Sequence, residues 1–500
     1  QSEPPMSQPK KSLSSLLAPY LTLDPAAERM IGAITTDNRQ LDADTLWLAA
    51  RGVNHHALDY YHGEPAAAIV YEPPYPAPPT GALPCPDLGA HLGDIAAHYY
   101  DHPARAMTVI GVTGTDGKSS LVHFLAQATG GAMLGTIGYG PLDALEVASH
   151  TTPDPLRIQQ HLAAWRERGI KTVAMEVSSH ALAQHRVAGV DFAIGVFTNL
   201  SRDHLDYHRD LEDYFQAKAR LFARPLPCAV INIDDAHGRR LLDDNLVHPE
   251  TRIIAVSSAG NYHPRAAATV SAGNIALDAD GIHFTLQYED AKRDNHAVSS
   301  HSAPVTSHLL ARFNVDNLLN TAACLLALDT PFTAIPAILA TLHGVPGRAE
   351  RIRLPNGAAA IVDYAHTPAA LVNILQGIRP HVPGKLWCIF GCGGDRDHGK
   401  RPLMAQAAEH YADATVITDD NPRTENPADI IADALRGTGK RENIWVKRPR
   451  EEAIRWVLPQ LQAGDAVVIA GKGHEDYQII GTTKHHYSDQ ETVRTWLTRP

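Results

Sequence analysis

The feature that most constrains the fold of this chain is a regular alternation of short apolar runs with helix-forming segments, which begins near residue 106. The apolar runs that predict the first strands lie at 108–112, 171–177, 192–197 and 228–233. Asp154 is a good helix N-cap with Pro155 in the first turn, and further helices are predicted to about Glu167 and over 179–187. Strands separated by helices favour a parallel sheet with right-handed crossovers, so an α/β fold is predicted.

A second unit of alternating strands and helices begins near residue 346. Its predicted strands lie at 358–364, 386–390, 414–418 and 466–470, and its predicted helices follow Pro368, Pro402, Pro427 and Arg450. Residues 250–308 contain short alternating runs that indicate a β-rich insertion. The chain before residue 104 mixes strand-like runs at 45–49 and 66–71 with a proline-rich loop at 72–86. We therefore predict three domains, at 1–104, 105–345 and 346–500.

Composition excludes two broad classes of partner. The formal net charge of −11 over 500 residues argues against non-specific binding to nucleic acid, which needs a positive field. No apolar run approaches the roughly 18–20 residues needed to span a bilayer. The first eleven residues also lack an apolar stretch of the signal-peptide kind, and the 5 cysteines are scattered. We expect a cytoplasmic protein with reduced thiols and no membrane partner.

Glycine and polar side chains cluster where the predicted strands end. The segments concerned are 114–119, 176–180, 198–204, 363–366, 391–396, 420–423 and 471–475. In open α/β sheets, ligands bind outside the carboxyl ends of the strands. The sequence therefore predicts that these segments form the functional site.

The most informative segment is 111–120, which reads GVTGTDGKSS and joins a strand to a helix that starts at Lys118. Backbone N–H groups of such a turn can wrap a phosphate chain, and the helix N-terminus adds partial positive charge. Lys118 can reach the terminal phosphates, and the Ser119 hydroxyl can ligate Mg²⁺. The strict phosphate-loop spacing has glycine where this chain has Val112. A purely structural turn is the alternative, and the order of strand, glycines, lysine and serine disfavours it.

Glu176 ends the next predicted strand, and a carboxylate beside a phosphate loop suits Mg²⁺, which prefers hard oxygen ligands. Taken alone, a glutamate after a strand is more often a surface residue. Its pairing with the phosphate loop in one sheet favours the metal interpretation.

Segment 111–120 resembles the nucleotide loop of the Mur ligase family, usually written GxxGTNGK[ST][ST], with Asp116 where asparagine is usual. The strings HTTP at 150–153, EVSSH at 176–180 and DNPR at 420–423 resemble further motifs of this family. The resemblance extends from about residue 31 to residue 490, and it is strongest over 111–222 and 344–476.

This resemblance implies an α/β fold of three domains. A central P-loop-type parallel sheet would carry helices on both faces, followed by a Rossmann-like α/β domain and preceded by a smaller α/β domain. It also implies an ATP-dependent, amide-forming ligase of peptidoglycan-precursor synthesis that adds meso-diaminopimelate to UDP-N-acetylmuramoyl-L-alanyl-D-glutamate through an acyl phosphate. A monomer with two Mg²⁺ ions and a carbamylated Lys218 is the accompanying expectation.

The resemblance also implies which residues do this work. For ATP they are Gly114, Thr115, Asp116, Gly117, Lys118, Ser119, Ser120, Asn314, Arg348 and Asp363. For catalysis they are Lys118, Glu176, His204 and Lys218, and for metal they are Ser119, Glu176, His204 and Lys218. The linker arginine Arg348 could instead pair with Glu350, and any one of 28 histidines is more often a surface or packing residue.

The substrate residues follow from the same resemblance. The UDP end would meet Asn38, and the peptide would meet His150, Thr151, Thr152, Ser178, Gln184 and Arg186. The incoming amino acid would meet Arg396, Asp420, Asn421, Pro422, Arg423, Gly471 and Glu475. Meso-diaminopimelate is a zwitterion at both ends, so its binding needs arginine forks for carboxylates and acidic groups for ammonium.

Three alternatives remain open at this stage. The first is the same ligase with L-lysine as the added amino acid, which Arg423 disfavours because lysine has no second carboxylate. The second is a folylpolyglutamate synthetase, which the strings at 150–153 and 420–423 disfavour. The third is a nucleotide-binding switch or assembly protein without ligase activity.

Overall fold

The computed structural model describes residues 9–52, 54–201, 207–290, 299–439 and 442–498. The chain divides into two compact units. The first contains Gln1–Val270, Glu289–Ser299 and Asn320–Asp329, and the second contains Ser271–Tyr288, Ser300–Leu319 and Thr330–Pro500. Within the described ranges, no helix has both the length and the apolar character that crossing a membrane requires.

The amino-terminal region contains a small parallel sheet, a separate antiparallel pair formed by its first two short strands, and helices. Its strands are β1 (Lys11–Ser12), β2 (Met30–Ile31), β3 (Ala33–Thr35), β4 (Thr45–Ala49), β5 (Ala68–Tyr71) and β6 (Leu83–Pro84), and its helices are α1 (Leu13–Leu17) and α2 (Leu88–Tyr99). Strands β3, β4, β5 and β6 pair in parallel in that order. Leu46, Val70 and Ile95 belong to its core. The short strand β6 lies inside the stretch 72–86 that the sequence predicted as loop, because pairing with β5 overrides local proline content.

The central region continues the alternation of strands and helices. Its strands are β7 (Thr108–Thr113), β8 (Ala132–Gly135), β9 (Gly138–Pro141), β10 (Thr172–Glu176), β11 (Ile194–Phe197), β12 (Cys228–Asn232), β13 (Arg252–Ser257), β14 (Ala268–Asp278), β15 (Gly281–Asp290) and β16 (Ser299–Ser307). Its helices are α3 (Lys118–Thr129), α4 (Pro155–Glu167), α5 (Ser179–Ala183), α6 (Leu211–Ala219), α7 (Ala236–Asp243), α8 (Phe313–Ala327) and α9 (Ile335–Thr341). Strands β14, β15 and β16 are adjacent, which confirms the β-rich insertion.

The sheet of the first unit has the strand order β13-β12-β11-β7-β10-β8-β9. Every neighbouring pair is parallel except β8 and β9. Strands β7, β10, β11 and β12 are almost fully buried, as expected for a sheet covered on both faces. The predicted parallel sheet is confirmed, and the carboxyl ends of β10, β7 and β11 lie side by side.

One predicted helix in this unit is shorter than expected. The sequence predicted a helix over 179–187, but α5 ends at Ala183. Gln184 leaves helical geometry and His185 adopts a left-handed φ of 55°, so the helical hydrogen bonds cannot continue. The turn that results brings the side chains of Gln184 and Arg186 together.

The carboxyl-terminal region forms the second α/β sheet. Its strands are β17 (Glu350–Arg353), β18 (Ala359–Asp363), β19 (Leu386–Cys392), β20 (Ala414–Asp419), β21 (Ile444–Val446), β22 (Ala466–Ala470), β23 (Tyr477–Ile480) and β24 (Thr483–His486). Its helices are α10 (Pro368–Ile378), α11 (Lys400–Tyr411), α12 (Pro427–Leu435), α13 (Arg450–Val457) and α14 (Asp489–Leu497). Helix α11 begins before Pro402, which is tolerated because first-turn N–H groups have no helical acceptor.

This sheet has the strand order β17-β18-β22-β19-β20-β21, and all pairs except β17 with β18 are parallel. Separate apolar clusters pack around it, one including Leu375, Phe390 and Met404 and the other Ile389, Ile454 and Val467. The carboxyl ends of β18, β22, β19 and β20 are therefore neighbours. Sequence segments that are far apart, such as 363–366 and 471–475, meet at one edge.

Candidate functional site

The loop between β7 and α3 has a geometry that requires its glycines. Gly114 has a φ of 150°, and a Cβ there would lie 1.9 Å from Thr198 Oγ1. Gly117 is the helix N-cap with a φ of 84°. Thr198 donates a hydrogen bond of 2.7 Å to the carbonyl of Asp116, which ties the loop to the end of β11. The loop is therefore a tight turn that leads into the N-terminus of a helix, a geometry that suits phosphate groups.

Two lysines converge on this loop. Lys118 Nζ donates to the carbonyls of Gly114 (2.9 Å) and Thr115 (2.8 Å). Lys218 Nζ, from α6, donates to the same Gly114 carbonyl at 2.8 Å, and it lies 4.4 Å from the centre of the Tyr214 ring. Lys218 is 1% exposed. The Lys118 ammonium and the helix N-terminus give the loop positive charge, which suits a polyphosphate.

Glu176 faces this loop from the neighbouring strand. It ends β10 in register with Val112 of β7, and its side chain is buried. Burial raises the pKa of its carboxyl, while the Lys118 charge and hydrogen bonds from Thr136 and Ser119 act in the opposite direction. The Thr136 backbone N–H donates to Glu176 Oε1 at 2.9 Å.

Gly135 and Thr136 contact the Glu176 carboxylate, and the sequence reasoning assigned them no role. A Cβ on Gly135 would lie 2.3 Å from Glu176 Oε1, so only glycine leaves room for the carboxylate. The one sequence signal is the pair of small residues directly after the apolar run that becomes β8.

The oxygen atoms near the loop fit Mg²⁺. The carboxylate of Glu176 and the hydroxyls of Ser119 and Thr136 are hard ligands, and Mg²⁺ at phosphate sites needs only one or two protein ligands. No group of three or more His, Cys, Asp or Glu suited to a metal occurs within residues 9–52, 54–201, 207–290, 299–439 and 442–498. His204 lies outside the described residues.

The backbone of Asp116 makes hydrogen bonds that hold the phosphate loop in place. Its N–H donates to Asn199 Oδ1 at 2.9 Å, and its carbonyl accepts from Thr198 and from Asn199 Nδ2 at 3.2 Å. The residue is exposed, so water solvates its carboxylate. Ser119 and Ser120 lie in the first turn of α3.

The predicted peptide-binding residues gather at the end of β10. Thr152 Oγ1 donates to the Glu176 carbonyl at 2.8 Å and accepts from the Ser178 backbone N–H at 3.1 Å. Arg186 donates to the Thr152 carbonyl at 2.9 Å and to Gln184 Oε1 at 2.7 Å. The structure thus brings together residues separated by more than thirty positions.

His150 and Thr151 extend this cluster. Thr151 Oγ1 lies 3.0 Å from Thr136 Oγ1, which links the stretch to Glu176. The His150 backbone N–H donates to the Tyr139 hydroxyl at 3.0 Å. Its side chain is exposed and so accessible to a ligand.

Asn38 occupies a separate place in the amino-terminal region. It begins a single 3₁₀ turn, and its Nδ2 donates to the Tyr60 carbonyl at 2.7 Å. Asp37 and Arg39 form an ion pair at 2.7 Å beside it. The described contacts of Asn38 do not include the phosphate loop.

In the second unit, Asp363 and Arg348 lie together at the end of β18. Asp363 accepts from the backbone N–H groups of Ala349 and Ala365, both at 2.8 Å, and burial raises the pKa of its carboxyl. The Arg348 guanidinium lies 5.0 Å from the centre of the Tyr364 ring. Glu350 instead forms an ion pair with Arg494 at 3.0 Å.

Asn314 is buried at the start of α8. Its Nδ2 donates to the Leu310 carbonyl at 2.7 Å, and its Oδ1 accepts from Asn317 at 2.9 Å. Ala311, which stands where a glycine is common in the family resembled, has a φ of 70°. That left-handed conformation explains why glycine suits the position.

The residues predicted to hold the incoming amino acid meet at the ends of β20 and β22. Asn421 Nδ2 lies 3.4 Å from Glu475 Oε2, and the backbone N–H of Gly471 donates to the Asp363 carbonyl at 3.0 Å. Lys472 lies between these segments, 3.1 Å from Glu475 Oε2 and 3.6 Å from Asp420 Oδ1. Sequence reasoning quoted Lys472 within its string but assigned it no role.

Arg423 is held by its backbone and shapes a neighbouring turn. It has a φ of 52°, its N–H donates to the Ile479 carbonyl at 3.1 Å, and its guanidinium donates to the Gly394 carbonyl at 2.7 Å. A Cβ on Gly394 would lie 1.9 Å from the Pro422 carbonyl oxygen, so this approach requires glycine. Arg396 is exposed on the same turn.

Arg450 and Asp489 form a fully buried ion pair below these strand ends, at 2.7 Å. Arg450 also donates to the carbonyls of Ala470 at 3.0 Å and Asp419 at 3.4 Å, the last residues of β22 and β20. The pair therefore holds the two strand ends from which Gly471 and Asp420 continue. Sequence reasoning missed it, because Arg450 was only a predicted helix start.

Comparison with known proteins adds independent information. The Mur ligase middle domain family matches residues 112–325, and the Mur ligase, glutamate ligase domain family matches residues 347–473. A UDP-N-acetylmuramoyl-L-alanyl-D-glutamate–2,6-diaminopimelate ligase of Alkalilimnicola ehrlichii is 44% identical, over 96% of this chain and 97% of the relative. A relative of the same name from Xylella fastidiosa is 43% identical over 94% of each chain.

A solved structure of a ligase with that name has a TM-score of 0.76 and 34% identity, and the match covers 98% of this chain and 99% of the other. This chain belongs to the Mur ligase family. Members of the family are ATP-dependent ligases that form amide bonds, and this chain is such a ligase. The predicted α/β fold class and the family resemblance are both confirmed.

Proposed function

We propose that this chain adds meso-diaminopimelate to UDP-N-acetylmuramoyl-L-alanyl-D-glutamate in the cytoplasmic synthesis of peptidoglycan precursors. The observation that carries the proposal is 44% identity, over 96% of the chain, with a relative named for the addition of 2,6-diaminopimelate. The cluster of Arg423, Asn421 and Glu475 at neighbouring strand ends supports it from the structure.

The reaction has two steps. A carboxylate oxygen of the D-glutamyl side chain attacks the γ-phosphorus of ATP, and the bond to ADP breaks to give an acyl phosphate. The amine nitrogen of diaminopimelate then attacks the acyl carbon, inorganic phosphate leaves, and the amine loses a proton. Attack of one anion on another is opposed by charge repulsion, so neutralisation and positioning supply most of the catalysis.

The residues of the first unit are suited to that neutralisation. The backbone of the loop at 114–117 and the ammonium of Lys118 would hold the β- and γ-phosphates. Glu176 and Ser119 would hold Mg²⁺, which would supply positive charge to offset the negative charge of the triphosphate. Thr152, Ser178 and Arg186 would orient the peptide carboxylate, since they are bonded to one another beside Glu176.

Lys218 is proposed to carry a carbamate that supports a second Mg²⁺, together with His204. The ammonium would first lose a proton, and the neutral amine nitrogen would then bond to the carbon of CO₂ and lose a second proton, so that a cation becomes an anion. The proposal is supported by the position of Lys218 Nζ, 2.8 Å from the Gly114 carbonyl of the phosphate loop.

Carbon-13 bicarbonate tests the modification directly. We expect a carbamate resonance in wild type and none in Lys218→Ala, and we expect short carboxylates to restore part of the activity of that variant. A wild-type protein without the resonance, or a fully active Lys218→Ala without added carboxylate, would remove the carbamate from the mechanism.

The three predicted domains divide the work in this proposal. Residues 1–104 would bind the UDP end through the segment around Asn38, residues 105–345 would bind ATP, and residues 346–500 would bind the amino acid. In the second unit, Asn314, Arg348 and Asp363 are proposed as further ATP contacts. We propose a monomer that has no nucleic-acid or membrane partner.

Addition of L-lysine is the second candidate. One chemical difference separates the two amino acids, because the distal carboxylate of diaminopimelate can use the guanidinium of Arg423 and lysine has no such group.

Release of ADP tests the function. The assay contains ATP, Mg²⁺ and the UDP-linked dipeptide, with meso-diaminopimelate, L-lysine or no amino acid, and the product is weighed by mass spectrometry. We expect release and a tripeptide product with diaminopimelate alone. Release with lysine would replace the substrate assignment, and release with neither amino acid would point to a different acceptor, such as a folate.

A further inference from the structure

A buried cation, Lys472, follows the carboxyl end of strand β22 in the second unit, and the proposed reaction assigns it no role. Lys472 is 0% exposed, although its side chain ends in an ammonium group. Burying an ammonium is costly unless protein oxygens replace the water that it loses. The protein oxygens around the Lys472 ammonium must therefore replace that water.

Three side-chain oxygens surround the Lys472 ammonium. Its Nζ lies 3.1 Å from Glu475 Oε2, 3.2 Å from Asn421 Oδ1 and 3.6 Å from Asp420 Oδ1. The Tyr477 ring lies on another side, 5.5 Å from Nζ to the ring centre. One cation thus contacts three of the residues proposed to face the incoming amino acid.

Lys472 also sets the orientation of the Asn421 amide. Asn421 Oδ1 accepts from Lys472 and from the Ile479 backbone N–H at 2.9 Å, so its Nδ2 is turned towards Glu475 Oε2 at 3.4 Å. The same Oε2 accepts from Lys472. Without the ammonium, the Asn421 amide loses one of the two donors that fix it, and Glu475 loses its cation.

The charges of this cluster leave room for one more cation. Asp420 and Glu475 carry two negative charges, and Lys472 neutralises one of them. Asp420 Oδ1 is buried and has no hydrogen-bond partner among the described residues. A zwitterionic amino acid that brings one ammonium to this cluster would complete both the charge balance and the hydrogen bonding.

We propose that Lys472 is a positioning residue for the incoming amino acid. It holds Asp420, Asn421 and Glu475 so that they receive one ammonium group, while Arg423 receives the adjoining carboxylate. Lys472 does not touch the substrate itself, because it is buried beneath these side chains. The inference rests on the proposed function, since diaminopimelate is the zwitterion concerned.

A purely structural lysine and a positioning lysine predict different kinetics. Loss of a structural contact would lower the amount of folded enzyme and leave the KM values of the folded fraction unchanged. Loss of a positioning cation would raise the KM for diaminopimelate selectively, because the side chains that Lys472 holds, Asp420, Asn421 and Glu475, are not among those proposed to bind ATP.

The test compares Lys472→Met and Lys472→Arg with Lys447→Met as a matched control. Lys447 is a lysine of the same region that packs on Trp456, 4.5 Å from its ring centre. We expect Lys472→Met to raise the KM for diaminopimelate by about 10-fold or more, since hydrogen bonds to charged groups are the stronger kind. The KM for ATP should stay within about twofold, and Lys472→Arg should recover part of the loss.

A double variant keeps the inference testable if the single variant folds poorly. Lys472→Met with Glu475→Gln removes one charge of each sign, so it leaves no unpaired buried charge from this pair. We expect its KM for diaminopimelate to be lower than the product of the two single effects predicts, because the residues act as one unit.

The same assay distinguishes failure of the Lys472 proposal from failure of the proposed function. An unchanged KM for diaminopimelate in Lys472→Met, or equal rises in both KM values, would overturn the role of Lys472 while wild type still uses diaminopimelate. A wild-type enzyme that ignores diaminopimelate in the same assay would overturn the proposed function itself, and with it the ligand assigned to this cluster.

Discussion

The two strand-end sites hold their charged side chains with different partners. In the first unit, Lys118 and Lys218 both donate to the backbone carbonyl of Gly114. Glu176 accepts from the backbone N–H of Thr136. These hydrogen-bond partners are neutral backbone groups, and the Lys118 charge also acts on the Glu176 carboxylate, where it opposes the rise in pKa that burial causes.

In the second unit, charged groups are held by opposite charges. Lys472 pairs with Glu475 at 3.1 Å, and Arg450 pairs with Asp489 at 2.7 Å. Buried Arg401 pairs with Glu425 at 2.8 Å and with Asp433 at 2.9 Å. Each of these cations is therefore paired with a carboxylate inside the protein, and around Lys472 one negative charge is left for a ligand.

The difference matches the ligands that each site is proposed to take. A positive phosphate loop suits a polyanion accompanied by Mg²⁺, whereas a cluster of paired charges with one carboxylate left over suits the ammonium of a zwitterion. The same difference predicts different effects of substitution. Variants of the first site should have a lower rate of ADP release, and variants of the second should have a higher KM for diaminopimelate or a lower free energy of unfolding.

The largest effect is expected at the phosphate loop. Lys118→Met should lower the rate of ADP release by about 10²- to 10³-fold, because it removes positive charge where negative charge develops. The rate is measured at saturating substrates. Lys171→Met, an exposed lysine directly before β10, is the matched control. Activity of Lys118→Met within tenfold of wild type would contradict the role of the loop.

Breaking the buried ion pair of the second unit should affect stability. Arg450→Met should lower the free energy of unfolding by about 3–5 kcal/mol, because Asp489 is left charged and buried. Denaturant unfolding measures the change. The double variant Arg450→Met with Asp489→Leu should recover most of the loss, and a double variant no more stable than the single would show that charge pairing is not the cause.

Arg423→Ala should raise the KM for diaminopimelate by about 10- to 100-fold, because this is the loss of affinity expected when a hydrogen bond between charged groups is removed. The KM for ATP should not change. Steady-state kinetics of Arg423→Ala and of the exposed control Arg353→Ala separate a local from a general effect. An unchanged KM for diaminopimelate would remove Arg423 from the site.

A pH effect on stability is expected from His381. Its Nε2 accepts from the Ala311 backbone N–H at 2.9 Å, so Nδ1 carries the proton that is donated to the Asp278 carbonyl at 2.7 Å. Burial lowers the pKa of His381, and the Arg351 charge adds to this while Asp278 opposes it. The neutral ring is therefore the form that the fold requires.

The sign of the effect follows from that lowered pKa. Below about pH 6.5 the unfolded chain binds a proton that the folded chain does not. The contribution of His381 is therefore complete above that pH and is lost as the pH falls towards the folded pKa, by at most about 1.4 kcal/mol per pH unit. Unfolding of wild type and His381→Gln between pH 5 and 8 measures the slope, and equal slopes would contradict the prediction.

The smallest effect is expected at Asp116. Asp116→Asn should change the KM for ATP by less than about threefold, in the direction of tighter binding, because exposed charges contribute little. Repeating the measurement at high salt should abolish the difference. A tenfold change would show that the carboxylate, rather than the backbone, acts in the loop.

The fold was largely predictable because its signals are local and repeated. Buried parallel strands require continuous apolar runs, and helix starts require caps and prolines, so β22 and α4 were predicted with the boundaries observed. The predicted end of α5 was wrong, because no strong signal in the local sequence indicates the left-handed turn at His185. Domain boundaries and the roles of individual site residues stay predictions.

By itself, the sequence determined the α/β class, the phosphate loop and the family, because glycine spacing and apolar period are properties of neighbouring residues. Only the tertiary structure decided that Gly135 must admit Glu176, that Arg450 holds two strand ends, and that Lys472 is buried between Glu475 and Asp420. Those contacts join residues from different strands and helices. Their energies depend on burial and distance, which exist only once the sheet has formed.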